Sequence, residues 1–190
     1  LHSDTANKLR GLVHGTTSMS DFASCDLVIE AVFEEIGVKR EVFQELEKHV
    51  TPEAILASNT SSLSIGDIAS VLKHPERMAG IHFFNPVAVM PLVEVVRAEK
   101  SSDAAIATGV SLVNKLRKTA IVTADTTGFV VNRLLAKLLG EAMHAIETGT
   151  PYEVVDESVA PLGLPMGPFA LLELVGLQVG AHVLDTHHGA

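Results

Sequence analysis

Between residues 27 and 123, short and continuously apolar runs alternate with longer amphipathic ones, and this alternation restricts the possible folds more than any other feature of the chain. A short run without a polar face needs cover on both sides, which is the condition of a strand in a parallel sheet layered between helices. The runs at 27–32, 54–58, 78–84, 92–98 and 119–123 read as strands, and the stretches at 38–50, 65–72 and 103–117 read as helices. Ahead of them, Ser3 is placed to cap a short helix over 4–14, and 15–21 is a connection with room for a short strand. The expected class is α/β, with a Rossmann-type, mainly parallel sheet.

Beyond Thr126 the pattern becomes helical only. Val130, Leu134, Leu135, Leu138, Ala142 and Ile146 recur at helical spacing, opposite a solvated stripe of Arg133, Lys137, Glu141 and His144. Gly149 ends that helix, and Thr150, Pro151 and Glu153 offer the next one a cap, a first-turn proline and a capping-box acid. Gly167-Pro168 opens a third helix. The boundary is set near Asp125, giving a sheet domain over 1–124 and an all-helical C-terminal domain over 125–190.

Composition narrows the function classes. A formal charge of −9 argues against nucleic acid or an anionic membrane surface as a partner, so any anionic ligand must be held by local groups. A single cysteine, Cys25, excludes an internal disulfide and fits a reducing compartment. The chain has no Cys-x-x-Cys and no His-Glu-x-x-His, which removes the usual zinc patterns, and no metal is expected. No apolar run is long enough to span a bilayer. His187 and His188 are expected on a fraying helix end.

The chemistry concentrates at Gly80-Ile81-His82-Phe83-Phe84-Asn85-Pro86 and Met90-Pro91-Leu92-Val93-Glu94. The short connection with Pro86 and Pro91 predicts antiparallel neighbours, because a parallel pair needs a longer crossover. Folding about Ala88 sets His82 opposite Glu94. A carboxylate beside an imidazole fixes its tautomer and stabilises the imidazolium, which makes a general base with its orienter. The same pair also serves as a core histidine satisfied by a nearby acid.

This block resembles the catalytic segment of the L-3-hydroxyacyl-CoA dehydrogenases, and the resemblance runs over essentially the whole chain. It implies NAD-dependent oxidation of L-3-hydroxyacyl-CoA to 3-ketoacyl-CoA in fatty-acid β-oxidation, with His82, Glu94, Ser61 and Asn132 as the catalytic residues. By the same resemblance, Ala31, Val32, Phe33 and Glu34 line the nicotinamide-side ribose and Lys39 reaches cofactor or CoA. Ser61 contacts both cofactor and acyl thioester, Asn85 the nicotinamide-ribose side, and Asn132 the substrate oxygen at C3. Each residue has a plainer reading. Glu34, Glu35, Lys39 and Arg40 read as a solvated helix start, the hydroxyls at 58–62 as caps with Ser62 or Ser64 serving the helix after Ile65, Asn85 as a turn residue, and Asn132 as half of an interhelical hydrogen bond.

Family members carry a Gly-x-Gly-x-x-Gly turn, and this sequence has none, so the first strand, first helix and second strand are expected upstream of Leu1 and the helical domain is expected to be cut short. Pro91 matches the fused fatty-acid oxidation enzymes better than the stand-alone ones. The implied partners are 3-hydroxyacyl-CoA, a second copy of the chain, and fused or associated enoyl-CoA hydratase and thiolase. The compartment would be cytoplasmic in a bacterium and mitochondrial or peroxisomal in a eukaryote. Two alternatives stand beside this reading: another NAD-dependent 3-hydroxy acid dehydrogenase, of a kind that uses a lysine base, and a catalytically silent, crystallin-like homologue.

Overall fold

The computed structural model describes residues 3–176. Five strands form one sheet in the order β1 (Leu27–Glu30), β2 (Ile55–Ser58), β3 (Met78–Phe83), β4 (Leu92–Arg97) and β5 (Thr119–Ala124). Sequence order is spatial order. β1, β2 and β3 are parallel, β4 runs antiparallel to β3, and β5 is parallel to β4. The sheet is thus mainly parallel, with one hairpin that turns the direction of its second half.

Helices cover both faces. α1 (Ser3–Arg10) leads in, α2 (Ile36–Leu46) and α3 (Ile65–Ala69) lie on one face, and α4 (Asp103–Lys115) lies on the other. Alternation along the strands divides the core accordingly: Val28, Leu56, Met78 and Val96 join Phe43, Leu46, Ile65 and Ile68, whereas Ala57, Ile81, Val93 and Val95 join Ala105, Ile106 and Val113. Gly80 sets the spacing on the first face. A Cβ there would lie 2.7 Å from Val96 Cβ and 2.9 Å from Ile65 Cδ1, so only a missing side chain lets α3 sit this close to the hairpin.

The helical segment contains α5 (Val131–Glu147), α6 (Tyr152–Ser158) and α7 (Pro168–Val175). Several expected ends shift. α1 stops at Arg10 rather than His14, and the connection after it holds a 3-10 turn, Met19–Phe22, instead of a strand. Thr150 does not cap α6; Pro151 takes the N-cap position and no side chain bonds there. On α5 the buried residues are Ala136, Leu139 and Ala142, while Leu134, expected inside, is 67% exposed. This helix is apolar on more than one side, and periodicity alone does not say which side its own chain covers. His187 and His188 lie outside the described residues.

Candidate active site

The hairpin brings the central pair together as its spacing predicts. His82 and Glu94 are register partners, and His82 Nδ1 lies 2.8 Å from Glu94 Oε2, with both side chains buried. Burial alone would raise the Glu94 carboxyl above its ordinary value of 4.5; hydrogen bonds from His82 and from the N–H groups of Val131 and Val130 outweigh it and hold the group lower. Glu94 is therefore an acceptor, and Nδ1 must carry the proton. That fixes the neutral ring with Nε2 as its basic nitrogen, and Nε2 makes no hydrogen bond among the described residues.

The N–H groups of Val130 and Val131 each lie 3.0 Å from Glu94 Oε1 and come from the start of α5. The preceding turn explains their aim. Gly128 has φ +70° and Phe129 has φ +49°, so two successive left-handed residues swing the backbone until adjacent N–H groups converge on one oxygen. A buried phenylalanine rarely adopts this conformation. Phe129 is held there by its N–H bond to the Thr126 carbonyl, 2.8 Å, and by its place in the core, with its ring 5.7 Å from that of His82. Phe84 flanks the imidazole on another side, at 4.5 Å.

Ser61 and Asn132 also meet. Asn132 Nδ2 donates to the Ser61 carbonyl oxygen at 3.3 Å, so its partner is the loop before α3 and not another helix. Glu34 sits across the same loop, accepting from Thr60 Oγ1 at 2.5 Å, Ser61 N at 2.9 Å and Ser61 Oγ at 3.3 Å. Desolvation opposes ionisation of Glu34, but these bonds and the Lys39 ammonium lower its pKa. Ser64 is the cap of α3, accepting from Asp67 N, which leaves Ser61 free of that duty. Ala31, Val32 and Phe33 line the exposed lip after β1, and Asn85 is exposed after β3 with no side-chain hydrogen bond among the described residues.

Lys39 departs from both of its expected roles. It is fully buried, and Nζ lies 2.8 Å from Glu30 Oε1, 3.3 Å from Glu34 Oε2 and 3.4 Å from the Val32 carbonyl. It therefore holds Glu34 in place from beneath instead of facing solvent or a ligand. Glu30, also buried, completes the network by accepting from Ser58 Oγ and Val32 N. The sequence signal was an acid at the end of an apolar strand, which must find partners when buried. Two further residues escaped the sequence reading: Asn59, whose Oδ1 accepts from Phe83 N and ties β2 to the end of β3, and Asp125, whose carboxylate accepts from Ser64 Oγ, Ile65 N and Gly66 N.

A layered, mainly parallel sheet with exposed residues at the carboxyl end of β1 and a hydroxyl-bearing loop after β2, beside an oriented imidazole, defines a dinucleotide-binding type of α/β domain. The family model for the 3-hydroxyacyl-CoA dehydrogenase NAD binding domain matches residues 1–126, and that for the C-terminal domain of the same enzymes matches 128–190. The chain belongs to the 3-hydroxyacyl-CoA dehydrogenase family. It is 46% identical over 174 residues to the fatty acid oxidation complex subunit alpha of Pseudomonas putida, an alignment that covers 92% of this chain and 24% of that protein. The chain thus spans about a quarter of the curated relatives it matches. FadB2 of M. tuberculosis superposes with a TM-score of 0.91 at 43% identity, covering 98% of this chain and 67% of that one. The 3-hydroxybutyryl-CoA dehydrogenase of Escherichia coli K12 superposes with a TM-score of 0.94 at 36% identity, over 98% of this chain and 40% of that one.

Proposed function

We propose that the protein carrying this chain oxidises L-3-hydroxyacyl-CoA to 3-ketoacyl-CoA with NAD. The observation that carries this reading is the buried His82–Glu94 pair, with Nδ1 committed to a carboxylate and Nε2 left basic. His82 Nε2 takes the proton of the C3 hydroxyl, and Glu94 stabilises the imidazolium that results. NAD, when bound, would supply the redox half of the reaction as a two-electron, hydride-level oxidant. Asn132 and Ser61, already in contact, orient the substrate and offer donors to the forming carbonyl oxygen, where preorganised hydrogen bonds act most strongly.

The residues present suit the nicotinamide half of the cofactor. Ala31, Val32 and Phe33 give an exposed apolar lip, Asn85 has an amide with no hydrogen-bond partner among the described residues, and Glu34 offers a half-buried carboxylate beside Ser61. Lys39 acts through Glu34, as its positioning cation. The relatives named for a fatty acid oxidation complex support placement in fatty-acid oxidation and membership of a complex; hydratase and thiolase activities as the associated partners, and the division into a domain over 1–124 and one over 125–190, are part of the same proposed reading. Among the described residues no helix is long and apolar enough to cross a membrane.

The test is NADH formation by the full-length gene product supplied with L-3-hydroxyacyl-CoA esters of short and long chain. Formation of NADH with ketoacyl-CoA in equal amount is expected. Absence of turnover with every ester would remove the reading.

A further inference from the structure

Besides the His82–Glu94 hairpin, the proposed site draws on two separate stretches, the loop before α3 with Ser61 and the start of α5 with Asn132 and the N–H groups on Glu94. Something must hold these stretches in register. The six-residue crossing from β5 into α5 begins at Asp125, whose own N–H is bonded to the Arg97 carbonyl at 3.1 Å, so its backbone is fixed on β4. Its carboxylate reaches across to α3, with Oδ1 2.9 Å from Ile65 N and Oδ2 2.9 Å from Ser64 Oγ and 2.8 Å from Gly66 N. Ser64 closes the loop that carries Ser61, and the crossing ends in the left-handed Gly128-Phe129 step that aims Val130 and Val131 at Glu94.

We propose that Asp125 is a positioning residue for the oxidation: by clamping the start of α3 it sets the Ser61 loop and the Asn132 end of α5 in the relation that catalysis uses. The proposal rests on the reading of His82, Ser61 and Asn132 given above. Asp125 itself touches none of them, and its only side-chain partners among the described residues are Ser64, Ile65 and Gly66. Its loss should therefore cost orientation at Ser61 and Asn132 while the cofactor contacts proposed at Ala31, Val32, Phe33 and Asn85 stay in place, so kcat should change far more than KM for NAD. An ångström-scale misplacement of an orienting group commonly costs on the order of 10–10²-fold in rate.

The experiment is steady-state kinetics of the full-length gene product as wild type, His82→Gln, Asp125→Ala, Asn132→Ala and the Asp125→Ala/Asn132→Ala double variant, each with a thermal melt. Asp125→Ala is expected to lower kcat about tenfold or more with KM for NAD within about twofold, and the double variant to be no slower than Asn132→Ala, since both changes remove one function. A folded Asp125→Ala with wild-type kcat, or effects that multiply in the double variant, would overturn the proposal. If Asp125→Ala does not fold, the same cycle is run with Asp125→Asn, which keeps one acceptor oxygen; there a kcat loss of about threefold is expected and an unchanged kcat overturns it. An inactive wild type, or a fully active His82→Gln, would instead sink the parent reading and is told apart by those two controls alone.

Discussion

Glu94 carries three hydrogen bonds on two oxygens while fully buried, so its charge is a commitment of the whole fold. Because its folded pKa lies below the ordinary 4.5, ionised Glu94 stabilises the protein above about pH 4.5, and that contribution is lost as pH falls through the lower folded value. Glu34 adds to the same window with the same sign. The difference in urea midpoint between wild type and Glu94→Gln should accordingly be large at pH 7 and shrink below pH 4; a gap that stays constant with pH would mean that ionisation of Glu94 contributes nothing. In catalysis, His82→Gln should lower kcat by ~10²–10⁴ with cofactor binding kept, because a lost base affects proton transfer far more than ground-state contacts. Equilibrium binding beside turnover separates the two, and near-normal turnover would remove His82 from the mechanism. The His82 and Glu94 pair was legible from spacing because a short proline-bearing connection permits one register. Lys39 was not: a lysine on a first helical turn among Glu34, Glu35 and Arg40 looks solvated, and only the buried Glu30 behind it draws it inward.

At the scale of elements, the face between sheet and α3 depends on the absence of a side chain at Gly80. Gly80→Ala should destabilise by about 1–3 kcal/mol through overpacking, since its Cβ would meet Val96 Cβ at 2.7 Å and Ile65 Cδ1 at 2.9 Å. Urea unfolding measures it, and a neutral result would mean α3 can move outward freely. Strands were readable as short continuous apolar runs because both of their faces are covered, and the first helices from helical period because each buries one evident face. α5 was readable as a helix but not in its orientation, because Leu134 and Leu139 compete for the inner side and the fold chooses Leu139. Asp125 was taken only as a boundary. An acid at a strand end carries no local sign that its partners are Ser64, Ile65 and Gly66, about sixty positions earlier.

Across the whole molecule, β1 is one of the two edges of the sheet, and among the described residues its outer side pairs with nothing. Ile29 on that strand and Phe33 just beyond it are 38% and 80% exposed. An open strand edge with apolar neighbours templates pairing with another chain. The 190-residue chain on its own should associate at raised concentration, and Ile29→Lys should reduce this. Light scattering against concentration decides it, and equal scattering from both would show that β1 is not the contact.

The hairpin that reverses the sheet has a bearing on the order of assembly. His82 and Glu94 are separated by 12 positions, whereas the N–H groups that tune Glu94 lie 36 and 37 positions away. Local closures of this kind precede distant ones, because less chain must be ordered before they form. By that ordering the His82–Glu94 contact is expected to close first, and the arrival of α5 to add the last two donors. In that sequence the helical segment works as the late half of a two-part latch, its docking completing the set of hydrogen bonds that holds the Glu94 charge.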